Sequence, residues 1–376
     1  MNIDVCEVTK RYASHAAAID GVSLTIRQGS FWTIVGPTGS GKTTLLRLIA
    51  GLTPPDAGRV LLNSQPVLQI PPFRRSIAYL PQGNGLLPQW TVRQNLLKPL
   101  RWRRLSSTEV ARKVAEMAAA CDIEDLLDRY PHELSGGQRQ RAALAQVLIQ
   151  PVDCLLLDEP FKHLDIVARD PFIELLHAHR QSTGQTIVCV THDREEVARQ
   201  KENYVAVLRE GRLVQAGTRA ELAASPADPF VFSLTSPFGI ELFTGTLCTT
   251  PDGGLFSCGD GRTRAVVPLH FLSRTSTAET AITMVVPRHR FFLFPNAGEH
   301  VAREGVSFGI GRIIRAVENN GVLRVQFDIG DRHCIMCRET EAVPELVRRL
   351  RPGNTVSVVA TDVRFFPACG TNINRA

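Results

Sequence analysis

The apolar and polar positions give the chain two textures. Up to about residue 235, short apolar runs alternate with stretches at helical spacing. Val5-Cys6-Glu7-Val8 and Val22-Ser23-Leu24-Thr25-Ile26 alternate as strands, and Phe31-Trp32-Thr33-Ile34-Val35 is an unbroken run of the kind buried on both faces. Residues 59–62 and 76–80 predict two more short strands, and Cys154–Glu159 and Ile187–Val190 predict two buried ones. Arg209-Glu210-Gly211-Arg212 predicts a turn between strands. Thr44 to Ala50 has helical spacing, as do Val92–Leu97, Thr108–Ala120, Arg139–Ile149 and Thr218–Ala224. Residues 83 to 150 hold most of these helical segments, and the first domain is expected to end near Phe230-Val231-Phe232.

From Pro237-Phe238-Gly239 onward β-like runs dominate: Ala265-Val266-Val267, Thr283 to Val286, Leu323 to Phe327 and Thr355 to Val359. Turn signals such as Asp252-Gly253-Gly254 and Asn319-Asn320-Gly321 separate them, which predicts a small all-β barrel over residues 236–376.

Composition changes this picture little. A chain of 376 residues, 44% apolar and 21% charged, has room for two or three full cores. A net charge of +6 permits anionic partners without demanding nucleic acid or lipid. No run of about 18 apolar residues predicts a membrane span, and Met1-Asn2-Ile3-Asp4 lacks the features of a signal peptide. The nine cysteines are scattered as reduced thiols would be, so the expected compartment is the cytoplasm.

The chemistry centres on Gly36-Pro37-Thr38-Gly39-Ser40-Gly41-Lys42-Thr43, which has the spacing of a phosphate loop and sits between a strand and a helix opening at Thr44. Glycines there let backbone N–H groups converge on an anion at the positive end of a helix dipole. Lys42 is then placed to reach the β- and γ-phosphates of a nucleoside triphosphate, and the Thr43 hydroxyl to ligate Mg²⁺. Leu134-Ser135-Gly136-Gly137-Gln138 is a second glycine-hinged helix start with Ser135 as its N-cap; two chains packed head to tail could bring the two cradles together. An apolar strand closing on Asp158 and Glu159 suits a metal-bound site, with Asp158 holding Mg²⁺ and Glu159 as general base for an attacking water.

Five other features are ambiguous by themselves. Tyr12 could stack on a base or be a surface aromatic. Gln82 is an amide at a strand end, and His192 is a histidine at another strand end, where a γ-phosphate sensor would be needed. Arg101-Trp102-Arg103-Arg104 reads as a solvated helix end. Cys334 and Cys337 form a C-x-x-C whose thiols would point to opposite faces of a strand.

With these stretches in place, residues 1 to about 235 resemble the ATP-binding subunit of an ABC transporter. The phosphate loop, the Leu134–Gln138 signature, the Asp158-Glu159 strand and His192 occur in that family's order. The resemblance implies an α/β P-loop ATPase domain over 1–235 with a helical subdomain at about 83–150, which touches the membrane partners. It implies that Tyr12 stacks on adenine and that residues 36–44 hold ATP. Ser135, Gly136, Gly137 and Gln138 would bind the nucleotide held by the opposite subunit of a homodimer, with Ser135 and Gly137 on the γ-phosphate. Gln82 would sense Mg²⁺, Glu159 would be the base, His192 the γ-phosphate switch, and Asp165 part of the loop crossing the dimer interface. Lys162 and His163 stand where the family usually has small residues, and Gln146 replaces a common arginine.

The tract 305–367, with Pro287-Arg288 before Phe291, resembles the OB-like C-terminal domain of importer ATPases of the maltose, polyamine, sulfate and ferric-iron type. The implied function is to energise import as a peripheral subunit on the inner face of the cell membrane, with permease subunits as partners and a periplasmic or extracellular solute-binding protein as an indirect one. Ferric iron, polyamine, sulfate or phosphonate would be the solute. The competing class is a soluble ABC-type ATPase acting on nucleic acid or ribosomes, which usually carries two cassettes or a long coiled coil.

Overall fold

A computed structural model of the chain describes residues 1–12, 17–83, 85–101, 105–162, 164, 166–193, 196–197, 204–236, 238–250, 253–259, 263–268, 280–294, 306–319, 322–339, 352–361 and 363–367. They form two compact units, 1–227 and 228–376, each with its own apolar core. The helix beginning at Pro229 thus belongs with the second unit, whereas the sequence reading carries the first domain to residue 235.

The first unit opens with β1 (Ile3–Arg11) and β2 (Ala17–Ile26), which pair antiparallel. Next come β3 (Phe31–Val35), α1 (Lys42–Ile49), β4 (Ala57–Leu62), β5 (Gln65–Pro66) and β6 (Ile77–Leu80). Three helices follow, α2 (Val92–Leu97), α3 (Ser107–Ala120) and α4 (Gly136–Leu148). The chain then returns to the sheet through β7 (Cys154–Asp158), α5 (Ile166–Thr183), β8 (Thr186–Thr191), β9 (Tyr204–Arg209) and β10 (Arg212–Thr218), and ends in α6 (Arg219–Ala224).

Two sheets result. A four-stranded antiparallel sheet runs β2-β1-β4-β5, and a six-stranded sheet runs β10-β9-β3-β8-β7-β6. In the second, β9, β3, β8, β7 and β6 are mutually parallel, and only β10 is antiparallel to its neighbour. Parallel strands covered on both faces need apolar residues at every position, which explains the unbroken runs in β3, β7 and β8. The alternation survives as a choice of core. Phe31, Leu155, Leu157, Ile187 and Cys189 pack with the helices α2 to α5, while Trp32, Ile34, Cys154, Leu156, Val188 and Val190 pack with α1 and the antiparallel sheet.

Capping residues fix the helix starts. Thr91, Ser106, Ser135 and Thr218 each form a capping box with the residue three positions on, satisfying otherwise orphaned N–H groups. Arg75, buried among carbonyls, donates to Ala50 O and Gly51 O (both 3.1 Å) and closes the other end of α1.

The second unit begins with α7 (Pro229–Thr235) and is otherwise all strand: β11 (Ile240–Thr250), β12 (Gly253–Cys258), β13 (Arg264–Val267), β14 (Thr280–Pro287), β15 (Phe291–Phe294), β16 (Val306–Asn319), β17 (Val322–Ile329), β18 (Arg332–Glu339), β19 (Thr355–Ala360) and β20 (Arg364–Pro367). Eight of them follow the order β15-β19-β16-β13-β12-β11-β14-β20; β17 pairs with β16 and β18. All described pairings are antiparallel and enclose a core around Phe256, Phe291 and Phe327, the OB-like β domain expected. Cys334 and Cys337 both lie in β18 and both are buried. Burial pushes the Cys334 thiol up to about 12 and raises that of Cys337, so both are inert thiols. Asn84, residues 102–104, His163, Asp165, Pro237, Asp252 and residues 320–321, all singled out in the sequence, lie outside the described residues.

Candidate nucleotide site

Parallel strands end on the same side of a sheet, and the site is built there. Register pairs Val35 of β3 with Thr191 of β8, Asp158 of β7 with Val190, and Leu80 of β6 with Leu157. The residues just past those ends, Gly36, His192, Glu159 and Gln82, are therefore presented along one edge by a rigid scaffold.

The loop after β3 requires its glycines. A Cβ on Gly36 would lie 2.0 Å from Leu208 O, and one on Gly41 2.1 Å from Ala18 O. Gly41 also holds φ 97°, a left-handed conformation that starts α1. Pro37, Thr38 and Gly39 are exposed at the tip of the loop, Ser40 is buried, and Thr44 follows Lys42 and Thr43 in the first turn of α1.

Lys42 is buried, and its ammonium donates to Gly36 O (2.8 Å) and Pro37 O (2.7 Å). Burial lowers its pKa although the Glu159 and Asp158 carboxylates oppose the shift. The Thr43 hydroxyl donates to Asp158 Oδ1 at 3.0 Å, and Tyr79 OH, from β6, donates to Asp158 Oδ2 at 3.3 Å. Burial raises the pKa of Asp158 against both hydrogen bonds. A buried carboxylate beside a threonine hydroxyl is a hard-oxygen pair of the kind Mg²⁺ takes, so the donor set fits that ion.

Glu159 is not the last residue of its strand, as the sequence pattern suggests. The strand stops at Asp158, and Glu159 turns away at φ 51°, an uncommon conformation for a residue with a side chain. Its N–H donates to Val190 O at 3.0 Å, which holds the turn against β8. Its carboxylate collects three groups from three directions. Gln82 Nε2 donates to Oε2 at 2.8 Å, Lys162 Nζ lies 3.2 Å from Oε2, and His192 Nδ1 lies 2.7 Å from Oε1. Burial pushes this carboxyl upward, but His192, Lys162 and Gln82 together outweigh it and leave the pKa lowered.

Ser135 caps α4, accepting from Gln138 N at 3.2 Å while Gln138 Oε1 accepts from Ser135 N at 3.0 Å. Ser135 and Gly136 are exposed, Gly137 and Gln138 partly so, and among the described residues no hydrogen bond joins them to residues 36–44. Tyr12 is half-exposed with the Lys10 ammonium 5.9 Å from its ring centre. The structure thus brings together Lys42, Thr43, Asp158, Glu159, Gln82 and His192; the Ser135–Gln138 group stands apart from them.

Several supports escaped the sequence reading. Tyr79 reaches Asp158 only because β6 pairs with β7. Gln140 of α4 donates to Pro160 O at 2.7 Å, propping the residue after Glu159. Asn95 of α2 bonds Leu87 N and O, Trp90 O and Thr91 O, closing the loop beyond Gln82, and Gln146, the departure noted above, donates to Asn95 O at 3.3 Å. Arg169 of α5 donates to Leu164 O at 3.1 Å, pairs with Asp193, and lies 3.5 Å from the buried Glu196 carboxylate. Burial pushes Glu196 up to about 7. A half-buried arginine partner was the missing signal, and no spacing rule announces it.

The profile of the ABC transporter family matches residues 19–162. The chain is 40% identical over 240 residues to the sulfate/thiosulfate import ATP-binding protein CysA of Thermosynechococcus vestitus, covering 64% of this chain and 71% of that protein. This chain belongs to the ABC transporter family. It is also 41% identical over 231 residues to the spermidine/putrescine import ATP-binding protein PotA of Trichodesmium erythraeum, covering 61% and 60% of the two. The chain spans about 60% of the length of the first curated relatives it matches. Its fold is similar to the dimeric structure of MJ0796, a bacterial ABC transporter cassette, with a TM-score of 0.53 and 30% identity over 57% of this chain and 98% of that one. Among the described residues no helix is long and apolar enough to cross a membrane.

Proposed function

We propose that this chain is the ATP-hydrolysing subunit of an ABC importer. One observation carries the reading: neighbouring strand ends bring Gln82 and His192 onto the Glu159 carboxylate, beside a loop whose buried lysine and adjacent threonine suit a triphosphate. Lys42 and the N–H groups of residues 39–43 bind the β- and γ-phosphates of ATP, and Tyr12 stacks on its adenine. Thr43 and Asp158, with Gln82, are the residues that would hold Mg²⁺, which supplies charge neutralisation on the phosphates. Glu159 accepts the proton of a water attacking the γ-phosphorus in line, and His192 fixes both that carboxylate and the γ-phosphate.

The exposed start of α4 supports completion of the site by a second copy. Ser135, Gly136, Gly137 and Gln138 of one subunit close over the nucleotide of the other, with Asp165 in the crossing loop. Closure pushes permease subunits held against the helical subdomain at the inner face of the membrane, and hydrolysis resets the dimer. Relatives named for a polyamine and for sulfate share this cassette, so the solute is chosen elsewhere, by the permease and an external binding protein. The OB-like unit serves regulation.

The test is to tag the protein and capture it from detergent-solubilised membranes. Co-purification of a polytopic permease, with ATP hydrolysis by the captured complex, supports the reading. Capture of ribosomal or nucleic-acid-bound material without a permease defeats it.

A further inference from the structure

We propose that Lys162 is a latch on Glu159, a positioning residue that slows hydrolysis by holding the carboxylate against water. The inference deepens the reading above and rests on Glu159 being the base. A serine at position 162 would leave no ammonium beside Glu159.

The geometry is local and simple. Lys162 N donates to Glu159 O at 3.3 Å, so the chain turns and the two side chains emerge together. The ammonium then meets Oε2 at 3.2 Å, on the oxygen that already accepts from Gln82, while His192 occupies Oε1. A carboxylate has about four lone-pair positions. With three engaged, a water that is to lose its proton must compete for what remains.

The three groups are not equally fixed. Gln82 and His192 follow strand ends, and their positions are set by the sheet. Lys162 is 41% exposed, on a four-carbon stem, against a carboxylate that is 13% exposed. It is the one that leaves at little cost, because half-exposed ion pairs are weak and are screened by salt. The latch therefore slows turnover by a small factor rather than blocking it, and charge drawn near the Lys162 ammonium in a closed dimer would release it.

The experiment uses the purified full-length chain. In Lys162→Ser, kcat for ATP should rise about two- to fivefold, as expected for loss of a weak ion pair. KM and the affinity measured by titration with a fluorescent ATP analogue should stay unchanged, since among the described residues no hydrogen bond or ion pair joins Lys162 to the phosphate loop. Lys162→Arg, which restores the pair, should return kcat toward the original value. Raising salt should accelerate the natural chain more than Lys162→Ser. A kcat that is unchanged or lower in Lys162→Ser, while Glu159→Gln is inactive, overturns the latch alone. Turnover that survives Glu159→Gln overturns the reading of the base, and the latch with it.

Discussion

Two helices of the first unit start on glycines, α1 after Gly41 and α4 at Gly136, and they are finished in opposite ways. The loop before α1 is wrapped by its own chain: Leu208 and Ala18 close on its glycines, Lys42 is buried in its carbonyls, and Thr43 is tied to Asp158. Among the described residues the start of α4 is held by its capping box, and Ser135 and Gly136 are exposed. The same local chemistry is thus used once as a socket complete in one chain and once as a free end. A helix N-terminus favours anions in either case, but among the described residues the first has a buried lysine and a carboxylate beside it. On the function proposed, the second would acquire its specificity from the nucleotide held by a second copy.

The largest effect that tests this contrast falls at Glu159, where the socket's chemistry converges. Glu159→Gln should lower turnover by about 10²- to 10⁴-fold, the usual worth of a general base, and should trap a dimer in ATP, seen by size-exclusion chromatography. A variant that stays monomeric with ATP would contradict the closing of one subunit over the nucleotide of the other. Next comes Lys42→Ala, which should weaken nucleotide binding roughly tenfold to a hundredfold, as for loss of a hydrogen bond to a charged group, measured by equilibrium titration on the single chain.

A pH series separates the socket's support from the socket itself. Burial raises Glu196 from its ordinary 4.5 to about 7, against hydrogen bonding by Thr191 and attraction to Arg169 and His192, with Asp193 adding to the rise. A carboxyl with a raised folded-state pKa binds its proton more tightly in the folded chain. Its contribution to stability is full below about 4.5 and is lost as pH rises through about 7. Glu196→Gln should therefore flatten the fall of Tm between pH 5 and 8, with little change at pH 5. An unchanged slope would remove Glu196 as its cause.

The smallest effect is expected at the free end. Ser135→Ala should cost about 1 kcal/mol of stability through loss of the cap and should lower turnover, yet leave nucleotide affinity of the single chain as it was. Equal losses of affinity in Ser135→Ala and Lys42→Ala would erase the distinction between socket and free end.

How much of this was legible in the sequence depends on whether the information is local. The run Phe31–Val35, the glycines and the helix after Lys42 are adjacent along the chain, so periodicity and spacing describe them fully. The cap at Ser135 is local too, and the structure starts α4 just after it. Glu159 is legible as a residue but not as a conformation, since nothing in an apolar strand ending in two acids announces φ 51°. Tyr79, Gln140 and Arg169 were out of reach for a different reason. Each acts across elements far apart in sequence, through register or packing that the pattern of one segment does not encode. In the second unit β11 and β16 run 11 and 14 residues, longer than the runs their apolar positions suggest. On β16, exposed Arg312, Ile314, Arg315 and Val317 face outward among the buried positions and break the apolar rhythm that marks a strand.

The capping box at the start of α4 has a kinetic consequence. Because Ser135 and Gln138 already hold one another, whatever docks on that end meets a surface whose rotamers are spent, and little ordering remains to be done at encounter. The rate of assembly is then governed by how often two bodies meet in the right orientation, and it would respond to solvent viscosity more than to the propensity of the helix.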